Sequence, residues 1–174
     1  MLYRPLNPTD AETYQALRLR GLAEAPTAFI STVEEDSTLS MSVVAERLRH
    51  TADSAVFSAW SDGELCGIAG IRREGKLRLR HKAFLWGVYV SPSARGSGAG
   101  RTLVTMAMDY GREMGVRQIN LGVNAKNLAA LRLYESVGFH TYGLEKNFMC
   151  VEGEWQDELH MVCVFDHGSA ASDV

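Results

Sequence analysis

The sequence predicts an α/β domain of the α+β type, in which helices cover a mixed sheet. Two observations lead to this class. The hydrophobic period switches along the chain between the helical spacing of about 3.6 residues and the alternation of strands. A glycine-dense loop at residues 96–100 joins an apolar strand directly to a helix. The predicted order of elements is β, α, α, β, β, β, α, β, α, β, β.

The N-terminal elements follow from capping and periodicity. Thr9 and Glu12 have the spacing of a capping box that opens a helix. Arg18 among leucines indicates that this helix is amphipathic rather than fully buried. A loop is expected over residues 25–40, and Ser40 would cap a second helix. The predicted elements of this part are strand 2–6, helix 9–24 and helix 41–50.

A change to strand alternation near residue 54 predicts hairpins. The dipeptides Asp-Gly at 62–63 and Glu-Gly at 74–75 are turn signals. They separate three expected strands at residues 54–61, 64–74 and 76–90. The third strand would carry four cations on one face, either solvated or facing an acidic ligand group. These cations are Lys76, Arg78, Arg80 and Lys82.

Helical spacing returns in the C-terminal half. Leu103 and Ala107 lie on one face of a helix predicted over residues 102–114, which Gly115 ends. The remaining predicted elements are strand 116–124, helix 127–137 ending at Gly138, and two strands that meet at Glu152 and Gly153.

Length and charge favour one domain over residues 1–166, followed by a disordered tail over residues 167–174. At 174 residues the chain can bury a full core, and its net charge of −3 gives no general basic surface for nucleic acid. No apolar run has the length of a membrane span, and the N-terminus lacks a signal peptide's apolar segment. We therefore expect a cytoplasmic protein that binds neither nucleic acid nor membranes.

The cysteines give no reason to expect a metal site. Cys66, Cys150 and Cys163 are odd in number and form no CxxC pair. This usage is typical of a reducing compartment. We expect all three to be buried thiols that pack in the core.

The glycine-dense loop has the composition of a phosphate cradle. Three alternate glycines from Gly96 to Gly100 carry no Cβ that would keep a ligand from the backbone. A helix starting near Ala99 adds unpaired N–H groups and the positive end of its dipole. Because Arg95 and Arg101 add formal charge, the loop predicts a pyrophosphate site.

Spacing separates the phosphate-binding motifs that compete for this loop. A Walker A motif ending at Gly100 needs a glycine at position 95 and a lysine at 101, and both are arginine. A dinucleotide fingerprint starting at Gly96 also needs a glycine at 101. The pattern that fits is Arg/Gln-x-x-Gly-x-Gly/Ala, filled by Arg95, Gly98 and Gly100. With it the chain resembles the GNAT superfamily of N-acetyltransferases.

A second motif strengthens the resemblance. Asn127, Tyr134, Gly138 and Phe139 have the spacing of that superfamily's other hallmark. The two motifs are in the same order as in the superfamily and are joined by a helix and a strand. The resemblance covers roughly residues 1–166, and it implies the GNAT acyl-CoA N-acyltransferase fold with acetyl-CoA as co-substrate and no metal.

The resemblance also implies where acetyl-CoA binds. In this superfamily the strand before the cradle splays from its neighbour and pairs with the pantetheine arm, while loop amides bind the pyrophosphate. The N–H of Val88 would hold the thioester oxygen, and Asn127 would contact the pantetheine. The implied cofactor-binding residues are Val88, Tyr89, Val90, Arg95, Gly96, Ser97, Gly98, Ala99, Gly100, Arg101 and Asn127.

Tyr134 is the implied general acid. Seven residues turn a helix by about 700°, so Asn127 and Tyr134 share one face. A phenol with a pKa of about 10 can protonate a thiolate with a pKa of about 8.5 as it leaves. The alternative is that Tyr134 only packs on the sheet.

The general base departs from the superfamily pattern. The two positions at which many members carry a Glu are Phe84 and Gly122 in this chain, and neither accepts a proton. The amine would then lose its proton through water or react as its free base, so we assign no base. More distant candidates are His81, Glu145, Glu158 and His160.

The implied reaction is transfer of an acetyl group to the primary amine of a small molecule. The alternatives are a protein or peptide N-acetyltransferase and a non-catalytic acyl-CoA binding module. Carboxylates at 34–36 would either attract a cationic amine or form a solvated loop. Since superfamily members are often dimers, a homodimer is one expected state. The residues expected on the acceptor side are Phe29, Glu34, Glu35, Asp36, Trp86 and Trp155.

Overall fold

The computed structural model describes residues 1–165, in which five helices cover one seven-stranded sheet. Residue 166 and the tail predicted at 167–174 lie outside the described residues. The strands are β1 (Leu2–Pro5), β2 (Ser54–Ser61), β3 (Glu64–Arg73), β4 (Lys82–Val90), β5 (Gln118–Asn124), β6 (His140–Val151) and β7 (Glu154–Val164). The helices are α1 (Ala11–Glu24), α2 (Val33–Ser37), α3 (Met41–Arg47), α4 (Ala99–Glu113) and α5 (Leu128–Ser136).

The strands lie in the order β1, β2, β3, β4, β5, β7, β6. All neighbours are antiparallel except β4 and β5, which are parallel. The parallel pairing extends only from Lys82 to Phe84 on β4, and the two strands separate beyond it. The mixed sheet predicted from the sequence is confirmed, and it contains a gap at its centre.

A β-bulge in β4 accompanies this separation. Ile68 of β3 lies opposite Tyr89 and Gly70 lies opposite Trp86, so one residue of β3 faces two residues of β4. Gly87 lies in the bulge with a φ of +63°. A bulge bends a strand and increases its twist, which directs the C-terminal part of β4 away from β5.

Alternate residues of the sheet pack into two helical layers. Phe57 of β2 belongs to the core formed with α4 and α5, whereas Val56 belongs to the core formed with α1 and α3. Leu103 and Ala107 of α4 are fully buried in the first core, as their spacing predicts. The sheet therefore has a helical layer on each face.

The start of α1 differs from the prediction. The capping box is formed by Asn7 and Asp10 rather than by Thr9 and Glu12. The Asn7 side chain accepts a hydrogen bond from the N–H of Thr9 at 2.9 Å, and Asp10 accepts one from the N–H of Asn7 at 2.9 Å. Pro8 suits this first turn because its fixed φ is helical and its missing N–H would be unpaired there.

The predicted loop at residues 25–40 is wrong because it contains α2. Thr32 and Glu35 form the capping box that opens α2. The prediction that Ser40 caps the next helix is confirmed, since its hydroxyl accepts a hydrogen bond from the N–H of Val43. Helix α1 has a buried and an exposed face, as the amphipathic pattern predicts. Arg18 nevertheless lies on the buried face, with its side chain only 8% exposed, and it is paired with a buried carboxylate of α2.

The predicted cationic strand face is absent. Residues 77–79 form a 3₁₀ turn, and β4 begins only at Lys82, so the four cations do not alternate along a strand. Asp53 explains the turn, because its carboxylate binds Arg80 at 2.9 Å and Arg73 at 3.4 Å. These two ion pairs hold the connection between β3 and β4 in place.

The thiols and the surface give three further findings. Cys66 and Cys163 are buried as expected, but Cys150 on β6 is exposed, so the prediction is wrong for that residue. No group of His, Cys, Asp and Glu side chains within residues 1–165 has the arrangement to hold a metal ion. No helix in the same residues is long and apolar enough to cross a membrane.

Candidate active site

A cavity of about 620 Å³ opens where β4 and β5 separate. Its walls come from the end of β4, the following glycine loop, the end of β5, the N-terminal part of α5 and the segment after α1. Its lining includes Ala25, Phe29, Trp86, Gly87, Val88, Tyr89, Val90, Arg95, Gly96, Gly98, Ala99, Gly100, Arg101, Gly122, Asn124, Asn127 and Tyr134. Eleven of the twelve site residues predicted from the sequence therefore line one space, and Ser97 lies within the same loop.

The glycine loop presents backbone N–H groups to this cavity. Gly96 and Gly98 have φ angles of +77° and +87°, and Gly98 is the N-cap of α4. Within residues 1–165, the N–H groups of Gly96, Gly98, Gly100 and Arg101 donate no hydrogen bond. An added Cβ at Gly96 or Gly98 would meet no atom within 4 Å, so the space beside the loop is open. These amides at a helix N-terminus fit an anionic ligand.

The polar side chains of the loop are bound elsewhere. Arg95 donates from Nε to the carbonyl of Val90 at 3.0 Å and forms an ion pair with Glu24 at 2.5 Å. Arg101 donates to the hydroxyl of Ser136 at 3.1 Å. Ser97 donates its hydroxyl hydrogen to the carbonyl of Ala94 at 2.7 Å. The cradle is thus a backbone site whose arginines hold the loop in place.

Tyr89 contributes backbone rather than a side chain to the cavity wall. Its ring packs in the core beneath α1, and its hydroxyl donates to Glu24 Oε2 at 2.7 Å. Burial, with the nearby Glu24 carboxylate, raises the pKa of Tyr89 to about 12. Glu24 of α1 therefore binds both Tyr89 and Arg95, two contacts that no local sequence pattern predicts.

Asn127 and Tyr134 face the same cavity from α5. Asn127 is the N-cap of α5, and its Oδ1 accepts a hydrogen bond from the N–H of Ala130 at 3.1 Å. Tyr134 is buried and packs edge-on against Phe139 with ring centroids 5.9 Å apart. Burial raises the pKa of Tyr134. The phenol therefore keeps its proton at neutral pH.

The acceptor wall combines aromatic rings with a buried ion pair. Phe29 and Trp86 line the cavity, as expected. Asp36 is 4% exposed and binds Arg18 through Oδ2 at 2.9 Å, so the expectation that it belongs to a solvated loop is wrong. Trp155 is 61% exposed on the β6–β7 hairpin and is not among the lining residues.

Two buried donors at this wall have no partner in the described residues. They are Nη1 of Arg18 and Nε1 of Trp86. The Arg18 guanidinium stacks on Phe29, with Cζ 4.6 Å from the ring centroid. Gly87 lines the cavity next to this guanidinium, and an added Cβ there would meet only Arg18 Nη1, at 4.0 Å. An unpaired buried donor costs about 1–3 kcal/mol, so both atoms favour an acceptor that binds from the cavity.

Three of the four base candidates come together next to β5, although none of the three is itself among the residues that line the cavity. Glu145, Glu158 and His160 lie on the paired strands β6 and β7, with His160 Nε2 3.1 Å from Glu145 Oε2 and Nδ1 3.6 Å from Glu158 Oε1. The Glu158 carboxylate extends over Gly122, which lines the cavity. His81 precedes β4 at its far end and lies outside this group.

Sequence reasoning missed three residues of the site: Arg18, Glu24 and Gly87. Only Gly87 had a readable signal, because a glycine inside a strand often marks a bulge or a close approach. Arg18 and Glu24 are charged residues of an amphipathic helix. Nothing in such a pattern distinguishes them from solvated side chains.

Comparison with known proteins gives consistent results. The model of the Acetyltransferase (GNAT) family matches residues 18–139. The chain is 41% identical over 98 residues to the N-alpha-acetyltransferase RimI of Mycobacterium tuberculosis, covering 55% of this chain and 58% of that protein. It is 30% identical over 153 residues to the mycothiol acetyltransferase of Acidothermus cellulolyticus, covering 80% of this chain and 44% of that protein. The chain thus spans about half the length of these relatives.

Solved structures show the same fold. The structure of yncA from Salmonella typhimurium with its cofactor acetyl-CoA has a TM-score of 0.83 and 22% identity, covering 100% of this chain and 99% of that one. The ribosomal-protein-alanine N-acetyltransferase of Brucella melitensis has a TM-score of 0.78 and 26% identity, covering 95% of this chain and 100% of that one.

Proposed function

Because the chain belongs to the GNAT family of acetyltransferases, we propose that it transfers an acetyl group from acetyl-CoA to the primary amine of a small molecule. One observation carries the proposal. The cavity between β4 and β5 brings the free amides of the glycine loop and the buried phenol of Tyr134 into one space. Anion binding and proton donation are therefore available to the same ligand.

Acetyl-CoA fits the chemistry of this cavity. The free N–H groups of Gly96, Gly98, Gly100 and Arg101 would bind the pyrophosphate. The backbone of Val88, Tyr89 and Val90 would pair with the pantetheine arm. Asn127 would contact the arm near the thioester. When bound, acetyl-CoA supplies an activated acetyl group and a thiolate leaving group.

Tyr134 acts as the general acid in this proposal. Its raised pKa keeps it protonated, and it lines the cavity without an internal hydrogen-bond partner in the described residues. None of the three cysteines lines the cavity, which favours direct attack by the amine over an acetyl-cysteine enzyme. The N–H of Val88 would stabilise the negative charge on the thioester oxygen.

The acceptor wall favours a small molecule. Two aromatic residues, Phe29 and Trp86, line this side of the cavity, and Trp86 Nε1 is a buried donor without a partner in the described residues. A peptide acceptor is the second candidate, because the relative from M. tuberculosis is named an N-alpha-acetyltransferase. We further propose a cytoplasmic enzyme without a metal, with no nucleic-acid or membrane partner, that forms a homodimer.

Release of free CoA across a panel of amino acids, polyamines, aminoglycosides and peptide N-termini tests the proposal. We expect turnover with one class of small amine. Tyr134→Phe should lower kcat about 10²–10⁴-fold and leave the Kd for acetyl-CoA within twofold. Tyr142→Phe, at an exposed tyrosine of β6, is the control and should retain full turnover.

Each other outcome has a distinct meaning. Turnover with peptides alone would establish the second candidate. Binding of acetyl-CoA without turnover on any amine would indicate a binding module. Equal turnover by wild type and Tyr134→Phe would remove Tyr134 from the mechanism.

A further inference from the structure

We infer that Glu158 of β7 is the general base, and that its carboxylate replaces the side chain that Gly122 lacks. The inference rests on the proposed acetyl transfer. It concerns a residue that lies 36 positions from Gly122 in the sequence, so only the strand pairing brings the two together.

The geometry is specific. Gly122 pairs with His160 and Asn124 pairs with Glu158 across the antiparallel β5–β7 ladder, so the Glu158 side chain approaches Gly122 diagonally on the same face. A Cβ added to Gly122 would overlap Oε1 of Glu158 and would lie 2.8 Å from its Oε2. The carboxylate therefore occupies the volume into which a side chain at position 122 would extend. Gly122 itself lines the cavity.

The surroundings suit a base. The Glu158 side chain is 14% exposed, and burial raises the pKa of its carboxyl; the Glu145 carboxylate adds to the rise and His160 opposes it. A carboxylate with a raised pKa accepts a proton from an ammonium group more readily than an ordinary one. No arginine or lysine binds Glu158 within the described residues, so its charge is not already neutralised.

A route for the proton leads away from the cavity. His160 lies between Glu158 and Glu145, at 3.6 Å and 3.1 Å from the two carboxylates, and side-chain exposure rises from 14% at Glu158 to 30% at His160 and 54% at Glu145. The imidazole can accept a proton on one nitrogen and release one from the other. The proton taken from the acceptor thus reaches solvent without crossing the acetyl-CoA side.

Each proton that moves in the proposed reaction has a donor and an acceptor. Glu158 takes one proton from the ammonium, and the freed lone pair forms the N–C bond while the C–S bond breaks. Tyr134 gives its proton to the departing sulfur and regains one from the nitrogen through water. The products are the amide and free CoA, and the one proton released leaves through His160 and Glu145.

A pH profile of Glu158→Gln tests the inference. At neutral pH we expect kcat/KM to fall about 10²-fold with the acetyl-CoA Kd unchanged by calorimetry. The kcat/KM of the variant should then rise tenfold per pH unit up to the pKa of the acceptor amine, because only the unprotonated amine reacts. The kcat/KM of wild type should level off at a lower pH. Glu154→Gln, at an exposed carboxylate at the start of the same strand, is the control and should stay within threefold.

Relocating the carboxylate provides a rescue. Gly122→Glu alone should damage the protein through overlap with Glu158. In the Glu158→Ala background, Gly122→Glu should raise kcat/KM at least tenfold above that of Glu158→Ala alone. A wild-type pH profile in Glu158→Gln would overturn the inference while leaving the proposed function intact. Wild type that binds acetyl-CoA but acetylates no amine would overturn both.

A separate observation identifies the acceptor's second functional group. We propose that Arg18 Nη1 and Trp86 Nε1 bind a carboxylate on the acceptor, which makes it an amino-acid-like compound. Both donors are buried without partners in the described residues. Phe29, on which the Arg18 guanidinium stacks, and Gly87, whose Cβ position is 4.0 Å from Arg18 Nη1, line the cavity, as does Trp86 itself. This proposal rests on the proposed function and not on Glu158.

Charge selects a carboxylate over a neutral carbonyl. Arg18 and Arg47 both contact Asp36, at 2.9 Å and 3.6 Å, so the group carries a net charge of +1. A partly buried net positive charge favours a ligand of opposite sign. An α-carboxylate at this wall would also keep the neighbouring amine in the cavity.

Acceptor pairs test the second proposal. An L-amino acid that is acetylated should exceed its carboxamide at least tenfold in kcat/KM. Trp86→Phe keeps a ring over Gly70 but removes the N–H, and it should reduce that preference severalfold. Equal rates for acid and amide with wild type, or a best acceptor that carries no carboxylate, would overturn it.

Discussion

The two sides of the cavity are built in different ways. The side proposed to bind the cofactor is one continuous segment, residues 95–101, which lines the cavity and offers free backbone amides. The acceptor side consists of side chains from distant elements, namely Arg18 of α1, Asp36 of α2, Trp86 of β4 and Glu158 of β7. A backbone site depends on local conformation, whereas a side-chain site depends on the register of the whole fold.

This difference suggests how the two sides evolve. A glycine loop that binds a constant ligand through amides tolerates little change in the chain around it. Side chains on separate elements can be exchanged one at a time, and the proposed carboxylate of Glu158 on β7 in place of one on β5 would be such an exchange. The acceptor side can therefore change its substrate while the cofactor side stays the same.

The largest effect is expected where the acceptor side carries its buried charges. Asp36→Asn would leave Arg18 buried without its anionic partner, which costs about 3–5 kcal/mol of unfolding free energy. Urea unfolding at neutral pH measures the loss. The control is Asp109→Asn, which breaks an ion pair with Arg112 whose side chains are 58% and 51% exposed, and it should cost less than about 1 kcal/mol. Equal losses would show that the buried pair adds no stability.

The sequence predicted eleven of the residues that line the cavity and the order of the elements other than α2, because their signals are local. Glycines, a following helix and the spacing from Asn127 to Tyr134 are all read within about fifteen residues. The prediction failed where a distant partner decides the outcome. Arg18 is buried because Asp36 reaches it, and the chain turns at Arg80 because Asp53 binds it.

The general base shows the same limit more sharply. The sequence shows that Gly122 carries no carboxylate, and it contains Glu158 among many acidic residues. Only the pairing of β5 with β7 places that carboxylate over Gly122. Register is fixed by the packing of the whole sheet, so no local pattern predicts the replacement.

Alanine substitutions at two glycines distinguish the binding role of the glycine loop from the cost of backbone strain. Gly98 and Gly63 have φ angles of +87° and +83°, and an added Cβ meets no atom within 4 Å at either. Alanine at each should therefore cost about 1 kcal/mol of stability for the left-handed conformation. Only Gly98→Ala should weaken acetyl-CoA binding, by about tenfold in calorimetric Kd, because Gly63 lies in the β2–β3 turn. Unchanged affinity in Gly98→Ala would remove the loop from the binding site.

The smallest expected effect concerns stability and compares adjacent carboxylates of β7. Burial raises the pKa of Glu158, so its ionised form destabilises the fold above that pKa, and the penalty vanishes when the carboxyl is protonated in both folded and unfolded states. The Lys146 ammonium and the Asn147 N–H lower the pKa of Asp157, so its contribution stabilises the fold near neutral pH and is lost as pH falls through its folded pKa.

The two amide variants should therefore move the melting temperature in opposite directions. At pH 7.5 we expect Glu158→Gln to raise it and Asp157→Asn to lower it, with both differences shrinking towards pH 4. A carboxylate that weakens the fold is retained when its chemistry is needed, so a more stable but slower Glu158→Gln enzyme would support the base. A lower melting temperature for Glu158→Gln at pH 7.5 would instead make Glu158 a structural residue of the β5–β7 ladder.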